Sequence, residues 1–379
     1  MKSGATLYSQ IYDDLRGDIA SGKYADGGRL PTEAELAKQY FVSRITSKKA
    51  LTKLAEDGLI LRIPGRGSFV KKNCPIPAAV PTHIAGRPLV ALVMGGYDSS
   101  FGLEIVQGAL DSAEELGMHL ILKDTQNDQK REAAILKSLL ASGVAGIIVQ
   151  PAHGELYNEA ILNAVYSKFP VVKIDRYMTG IDVPFVGVDN KKLRKLAVSK
   201  LIGIGHRNIT LLALEDDHAS SLKERMQGFI EAFADSQMAV RKDLWLTRIN
   251  DQIRAKGVDH NELASHETCV DAITEHLIRH PDITAIFGTE YGASKAAWDA
   301  VRRLKKRVPE DVSIVSFDFD PGYLGLHVLA HVKQPQSGIG SCAVRVISDI
   351  LNGKALDSRC FFLEGAWVEG DTIAPPAAQ

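Results

Sequence analysis

Residues 30–54, LPTEAELAKQYFVSRITSKKALTKL, contain the pattern that decides the fold of the N-terminal part of the chain. Thr32 is placed to cap a helix, because its hydroxyl can accept a hydrogen bond from a free backbone N–H, and Glu35 three residues later completes a capping box. An apolar break at residues 41–42 is followed by Ser43, a second capping residue. The stretch therefore predicts two consecutive helices joined by a tight turn.

The second of these helices, predicted over residues 44–56, has two different faces. Apolar residues recur along it at the spacing that buries one side of a helix. Basic and hydroxyl side chains crowd its first two turns on the other side: Arg44, Thr46, Ser47, Lys48 and Lys49. Such side chains at a helix N-terminus bind phosphate and reach base edges in a DNA major groove. A solvated charged surface is the simpler explanation of a lone Lys-Lys run.

Two apolar segments after this helix predict a β-hairpin. Residues 58–63 form the first strand, residues 68–70 form the second, and the glycines of Pro64-Gly65-Arg66-Gly67 permit the positive φ of a turn. Arg66 then lies at the tip of the hairpin, where it is suited to a minor-groove or phosphate contact. A hairpin next to the two helices favours a DNA-binding module over a merely charged surface.

Residues 6–72 resemble the GntR-type winged helix-turn-helix. The matching segments occur in the order of that family: Leu7-Tyr8-x-Gln10-Ile11, Arg29-Leu30-Pro31-Thr32-Glu33-x-Glu35-Leu36-Ala37, Val42-Ser43-Arg44-x-Thr46, Ala50-Leu51, Leu54-x-x-x-Gly58-Leu59-Ile60 and Gly65-Arg66-Gly67-Ser68-Phe69-Val70. The resemblance implies double-stranded DNA as a partner and the following contact residues: Arg29, Thr32, Ser43, Arg44, Thr46, Ser47, Lys48 and Arg66. Ser47 and Lys48 replace the family's more usual Val and Arg, so we expect a different base preference.

Length and charge indicate a second, larger part of the chain. A sequence of 379 residues is too long for one ordinary core and predicts two or three domains. Residues 1–72 contain 13 lysines and arginines against 8 acidic residues, a net charge of +5, whereas the remainder carries −6. Prolines cluster over the next stretch. We therefore predict a DNA-binding domain over 1–72, a linker over 73–87 and a second domain over 88–379.

Other sequence features restrict the class of protein. The sequence shows no secretory signal and no run approaching the ~18 apolar residues of a membrane span, which predicts a cytoplasmic protein without membrane contact. The four cysteines are far apart and indicate reduced thiols and no metal site: Cys74, Cys269, Cys342 and Cys360. No nucleotide-binding or nucleophile motif is present, so the sequence predicts neither an enzyme nor a cofactor.

Apolar strands alternate with amphipathic helices through residues 89–317. Leu89-Val90-Ala91-Leu92-Val93-Met94 is a continuous apolar run, which is typical of a parallel strand buried on both faces. The repeated strand–helix units predict an α/β fold with doubly wound parallel sheets, and their number predicts two lobes.

Residues 87–373 resemble the LacI/GalR effector domain and the related periplasmic sugar-binding proteins. The matching segments are Gly187-Val188-Asp189-Asn190, Gly205-His206-Arg207-x-Ile209, Arg225-x-x-Gly228-Phe229, Ala285-Ile286-Phe287, residues 308–318 and Val332-Lys333-Gln334-Pro335. The resemblance implies a homodimer, a sugar effector and these sugar-binding residues: Tyr97, Ser100, Phe101, His153, Asp175, Arg176, Arg225, Trp245, Glu290, Asp318 and Gln334.

Several of these candidates have a plainer structural explanation. Asp175-Arg176 follows an apolar strand directly, where the pair can grip sugar hydroxyls or form a strand-end ion pair. Trp245 can stack on a sugar or pack in the core, and Asp318 can cap a turn. A lone loop histidine such as His153 is more often solvated, and Arg225 is equally suited to a helix surface.

A GntR head on a LacI/GalR body resembles the arabinose-responsive repressors. The resemblance implies a dimeric repressor of carbohydrate-utilisation genes that leaves its operator on binding L-arabinose. Glu290-Tyr291 replaces the usual Asn-Asp, so another pentose or a hexose remains an alternative effector. Activation of the genes, instead of repression, is also an open alternative. A periplasmic sugar carrier and a sugar-processing enzyme are the other classes. The first would need an export signal and the second catalytic motifs.

Overall fold

The computed structural model describes residues 7–20, 23–25, 27–63, 67–71, 83–84, 86–152, 158–177, 180–213, 220–247, 249, 262–320, 322 and 324–377. The chain forms two compact units, residues 1–80 and 81–379. The predicted site residues Arg66 and His153 lie outside the described residues.

The first unit is a three-helix bundle with a two-stranded hairpin. Its elements are α1 (Leu7–Ala20), α2 (Glu33–Gln39), α3 (Arg44–Glu56), β1 (Ile60–Ile63) and β2 (Gly67–Val70). The strands pair antiparallel, with Ile60 opposite Val70 and Ile63 opposite Gly67. Apolar residues from every element meet in one core, including Ile11, Leu15, Leu36, Leu51 and Leu54. The predicted helix pair and hairpin are therefore confirmed.

The caps of α2 and α3 form as the sequence predicts. The Glu35 backbone N–H donates to Thr32 Oγ1 at 3.3 Å, and the Thr32 N–H donates to Glu35 Oε2 at 2.7 Å. These two bonds are the two halves of a capping box. Ser43 Oγ accepts from the Thr46 N–H at 3.2 Å and starts α3. Capping of this kind stabilises a helix by about 1 kcal/mol.

The second unit begins with a lobe built on a parallel sheet, called lobe 1 here. Its elements are β3 (His83–Ile84), β4 (Arg87–Met94), α4 (Leu103–Glu115), β5 (His119–Asp124), α5 (Gln129–Ala141), β6 (Gly146–Val149), α6 (Glu159–Tyr166), β7 (Val171–Ile174) and β8 (Phe185–Val188). Strands β5, β4, β6, β7 and β8 are neighbours in that order and run parallel. The short β3 pairs antiparallel with the start of β4.

A second lobe, lobe 2, follows with the same kind of architecture. Its elements are α7 (Asn190–Gly203), β9 (Ile209–Leu212), α8 (Ser220–Asp235), a 3-10 turn (Lys242–Leu244), α9 (Glu262–Arg279), β10 (Ala285–Gly288), α10 (Tyr291–Arg303), β11 (Ser313–Phe317) and β12 (Ala330–Lys333). Strands β9, β10, β11 and β12 lie side by side and parallel. The predicted α/β class with two lobes is confirmed.

The chain passes between the lobes three times. The first passage follows β8, and the second follows β12, after which α11 (Gln336–Leu351) returns to lobe 1. There α11 packs closely on α4, because a Cβ on Gly108 would lie 2.0 Å from the Ser337 carbonyl oxygen. The third passage lies between β13 (Cys360–Leu363), which pairs with β8, and β14 (Ala366–Val368), which pairs with β12.

Candidate functional site

A cavity of about 710 Å³ lies between the two lobes of the second unit. In parallel sheets, ligands bind beyond the carboxyl ends of the strands, and most of this lining follows a strand end. Lobe 1 contributes Gly95, Gly96, Tyr97, Asp98, Ser100, Phe101, Asp124, Asn127, Gln150, Asp175 and Arg176. Lobe 2, together with the segment that connects β12 to α11, contributes Thr289, Glu290, Tyr291, Gly292, Phe317, Asp318 and Gln334. Its volume falls in the ordinary range of small-molecule sites.

Each lobe presents one carboxylate to this cavity in the same way. Asp175 directly follows β7, and Asp318 directly follows β11. A glutamine at the end of the neighbouring strand orients each of them: Gln150 Nε2 donates to Asp175 Oδ2 at 2.7 Å, and Gln334 Nε2 donates to Asp318 Oδ2 at 2.6 Å. The two lobes therefore hold a matched pair of oriented hydrogen-bond acceptors.

The backbone at both carboxylates is unusual. Asp175 has φ +62° and Asp318 has φ +58°, the left-handed region that side-chain-bearing residues seldom adopt. Both side chains are also mostly buried, with 9% and 5% exposure. Such conformations are found at functional sites, where the surrounding structure offsets their energetic cost. In this protein each turn leaves its carboxylate in hydrogen-bond contact with the glutamine that follows the neighbouring strand.

The arginine beside Asp175 is fixed by other residues. Arg176 Nη1 donates to Asn127 Oδ1 at 2.9 Å and to the Pro151 carbonyl oxygen at 3.0 Å. Asn127 reaches this position only because residue 95 is glycine, since a Cβ there would lie 2.2 Å from Asn127 Oδ1. The guanidinium is thus held in place and supplies donors to the same cavity as the carboxylates.

Two buried oxygen atoms of the lining have no hydrogen-bond partner among the described residues. They are Thr289 Oγ1, at the end of β10, and Gln334 Oε1. The Gln334 amide nitrogen is already committed to Asp318. Leaving a buried polar group unpaired costs about 1–3 kcal/mol, so these atoms are suited to a ligand that supplies polar groups to the cavity.

The carboxyl group of Asp318 has a raised pKa in this cavity. The pKa of Asp318 is raised to about 6, chiefly by burial and to a smaller extent by the negative charge of Asp175 on the other lobe, while hydrogen bonds from Gln334 and Gln336 act to lower it. The carboxylate therefore ionises near the lower end of the physiological pH range.

Most of the predicted sugar-binding residues meet at this cavity. The lining includes Tyr97, Ser100, Phe101, Asp175, Arg176, Glu290, Asp318 and Gln334. Arg225 lies on α8, but its side chain is outside the described part of the chain. Sequence reasoning missed Asn127, Gln150 and Thr289. The last two follow strands directly and were open to the same reasoning as Asp175, whereas the place of Asn127 depends on contacts distant in sequence.

The prediction that Trp245 stacks on a sugar is wrong. Trp245 is absent from the cavity lining, and its ring meets the Phe229 ring edge-on, with centroids 5.5 Å apart. Together with Phe229 it packs against the core that links the lobe 2 sheet to its helices. The physical reason is that Phe229 of α8 lies against the indole, which is partly buried against that core.

The first unit carries its own candidate surface. Arg44 and Lys48 are exposed on α3, Ser43 is exposed at its start and Thr46 is half-buried beside it. Arg29 is exposed next to the hairpin, where a Cβ on Gly67 would lie 3.2 Å from Arg29 Nε. The start of α3 and the hairpin therefore carry most of the predicted DNA-contacting residues.

Two of the predicted DNA contacts have structural roles instead. Ser47 is fully buried, and its hydroxyl donates to the backbone carbonyl oxygens of Glu33 at 2.7 Å and Arg44 at 3.1 Å. The Ser47 side chain therefore links α3 to α2 by a hydrogen bond and faces away from solvent. The prediction that Ser47 contacts DNA is wrong. The Thr32 hydroxyl is engaged in the capping box with Glu35.

Comparison with known proteins agrees with both units. Residues 90–355 match the family described as periplasmic binding protein domain, which spans most of the chain. The chain belongs to the periplasmic binding protein domain family. Residues 7–70 match the bacterial regulatory proteins of the gntR family, so a GntR-type helix-turn-helix precedes the periplasmic-binding-protein domain.

Individual relatives share one or both of these parts. The arabinose metabolism transcriptional repressor of Halalkalibacterium halodurans is 25% identical over 361 residues, covering 93% of this chain and 91% of the relative. The ribose import binding protein RbsB of Salmonella typhimurium is 26% identical over 292 residues, covering 75% of this chain and 92% of the relative. The crystal structure of CcpA of Lactococcus lactis has a TM-score of 0.65 at 20% identity, covering 76% of this chain and 99% of CcpA, and shares the fold.

The described residues contain no group of three or more His, Cys, Asp or Glu residues arranged to hold a metal ion. None of their helices is both long enough and apolar enough to cross a membrane.

Proposed function

We propose that this protein is a transcriptional repressor of sugar-utilisation genes whose periplasmic-binding-protein domain binds a neutral sugar and thereby releases operator DNA. The observation that carries the proposal is the matched pair Asp175 and Asp318, held by Gln150 and Gln334 in one cleft. Carboxylates accept hydrogen bonds from hydroxyl groups, and a sugar presents such groups on more than one side. A sugar that fills the cleft would therefore bond both lobes at once.

The charge of the cleft supports a neutral polyol over a sugar phosphate. The described lining contains five carboxylates, Asp98, Asp124, Asp175, Glu290 and Asp318, against the single guanidinium of Arg176. A phosphate group would meet repulsion from most of these charges and would have few donors to bind it. Tyr97, Phe101, Tyr291 and Phe317 supply aromatic surface, against which the C–H faces of a sugar ring can pack.

We propose L-arabinose as the first effector to test. The support comes from the relatives named as arabinose metabolism transcriptional repressors, which resemble this chain over both of its units. Glu290 and Tyr291 line the cleft and replace the residues usual in the resembling family, so another pentose or a hexose is the second candidate. The protein would act as a cytoplasmic homodimer, and the GntR-type head would bind a pseudo-palindromic operator.

Closure of the lobes offers the link between sugar and DNA. The lobes already meet beside the cleft, where Ser99 Oγ donates to Asp320 Oδ2 at 2.5 Å. A sugar bonded to Asp175 and Asp318 would add contacts that exist only when the lobes are close, so it would shift the population towards the closed state. Closure would change the spacing of the two heads in the dimer. By linkage, DNA must weaken sugar binding by the same factor.

Calorimetric titration of the full-length protein tests the proposal. The panel contains L-arabinose, D-ribose, D-xylose, D-galactose and D-ribose 5-phosphate, each with and without DNA from the gene's own promoter region. We expect heat with one neutral sugar and weaker DNA binding in its presence. The proposal would be contradicted if the protein bound D-ribose 5-phosphate in preference to the neutral sugars. It would also be contradicted if no bound sugar changed the affinity for DNA.

The raised pKa of Asp318 predicts a pH dependence of sugar affinity. The ionised carboxylate is the better acceptor for hydroxyl groups, so affinity should level off well above pH 6 and fall towards tenfold per unit well below it. The stability of the sugar-free protein should show the opposite trend. Because the folded-state pKa is above the ordinary value, this group stabilises the fold at low pH, and that contribution is lost as pH rises to about 6. Titrations at pH 5, 6 and 7.5 measure the effect, which Asp318→Asn should abolish.

A further inference from the structure

One large apolar side chain projects from the helix that the proposed function places against DNA. Ile45, in the first turn of α3, is 79% exposed. The buried residues of this helix are Ser47, Ala50, Leu51 and Leu54. At about 100° per residue, Ile45 points roughly 160° away from Ser47 and so occupies the ridge opposite the buried side.

The surroundings of Ile45 are basic and polar. Arg44 and Lys48 are exposed beside it, and the Lys49 ammonium lies 4.3 Å from the centroid of the Tyr8 ring. A protein partner would be expected to meet a wider apolar patch that is depleted of charge at its centre. A single branched alkyl group between cations instead complements a DNA groove, where phosphates line the edges and base edges form the floor.

Other exposed apolar side chains of the first unit lie elsewhere. Phe41 is 95% exposed in the turn before α3, and Leu61 is 51% exposed on β1. Among the described residues of this unit, Ile45 is therefore the large apolar group on the outward ridge of α3. Neither helix capping nor core packing requires an isoleucine there, since Ser43 starts the helix and the opposite side forms the core.

We propose that Ile45 recognises thymine through its C5 methyl group in the major groove, a specificity contact that rests on the proposed DNA-binding function. The thymine methyl is the apolar group on the major-groove edge of a base pair, and cytosine in the same place lacks it. Ile45 would therefore select T·A over C·G at one position of each half-site. Arg44 and Lys48 on either side would bind base edges and phosphates.

The test removes single thymine methyl groups from the DNA. Duplexes are first selected from a random pool by the full-length protein, and each thymine of the selected site is then replaced by deoxyuridine, which lacks only the methyl. We expect about fourfold weaker binding at one thymine of each half-site, the effect of one buried methyl group. Ile45→Ala should bind the thymine and deoxyuridine duplexes equally, while Ile45→Val, which keeps a branched side chain, should retain a preference for thymine.

Failure of this inference can be told apart from failure of the proposed function. If the protein selects a defined site but no thymine-to-deoxyuridine change matters, or if Ile45→Ala keeps the same sensitivity, the methyl contact is wrong and the repressor proposal stands. If no sequence is enriched from the pool, the DNA-binding function itself is overturned, and the methyl contact with it.

Discussion

Asp318→Ala is expected to weaken sugar binding roughly 10- to 150-fold. The substitution removes a buried carboxylate that is 5% exposed and already oriented by Gln334 Nε2 at 2.6 Å. Hydrogen bonds to a charged group contribute about 1.5–3 kcal/mol each, and loss of one such bond accounts for the expected change in affinity. The repressor should still bind its operator but no longer release it when sugar is added. Calorimetry measures the affinity, and a gel-shift titration measures release.

A matched control variant distinguishes the loss of a carboxylate in the cleft from the loss of a carboxylate elsewhere on the domain. Asp182 is also an aspartate of the second unit, but its side chain is 80% exposed and pairs with Arg359 at 3.6 Å outside the cavity. Asp182→Ala should bind sugar like the unsubstituted protein. Thermal unfolding and operator affinity must be near normal in Asp318→Ala for the comparison to hold, and Asp318→Asn provides a second variant of nearly the same shape. Undiminished sugar affinity in both Asp318 variants would refute the assignment of the cleft.

Arg44→Ala is expected to weaken operator binding by about 1–3 kcal/mol for each half-site, or roughly 5- to 150-fold. Arg44 is exposed in the first turn of α3, next to the N-cap Ser43, and its guanidinium can bond two acceptors of one base. Because the contact is to a base, the loss should be accompanied by a relaxed preference at that position. Fluorescence anisotropy on a set of single-base operator variants measures both effects.

Lys53→Ala is the control on the same helix. Lys53 lies in the last turn of α3 and pairs with Asp57 at 3.1 Å, at the end of the helix away from the predicted groove. It should leave both operator affinity and base preference close to normal. Unchanged affinity and base preference in Arg44→Ala would exclude Arg44 as the leading base contact.

Local sequence patterns were sufficient wherever one segment carries its own signal. Strand β4 contains the whole predicted run Leu89–Met94, because a continuous apolar run of this length has few alternatives. The capping box of α2 formed as predicted, since its donors and acceptors lie within four residues of each other.

Sequence patterns gave wrong predictions where the same local sequence fits both a ligand-contacting residue and a packing residue. Ser47 has the polar character of a DNA contact, yet it faces α2, and only the packing of α3 on α2 decides between the two. Trp245 has the character of a sugar-stacking residue, yet its ring packs on Phe229 from α8. Burial depends on which element lies opposite, and that information is not local.

The sequence by itself determined the two kinds of domain and their order, and it predicted eight of the eighteen residues that line the cleft, because strand-end positions and family motifs are properties of short segments. Only the tertiary structure decided that Asp175 and Asp318 form a matched pair, each held by a glutamine from a neighbouring strand. It also placed Asn127 against Arg176, at a distance that a side chain on residue 95 would prevent. These features depend on distances between residues far apart in the chain, which are set when the sheets and lobes pack together.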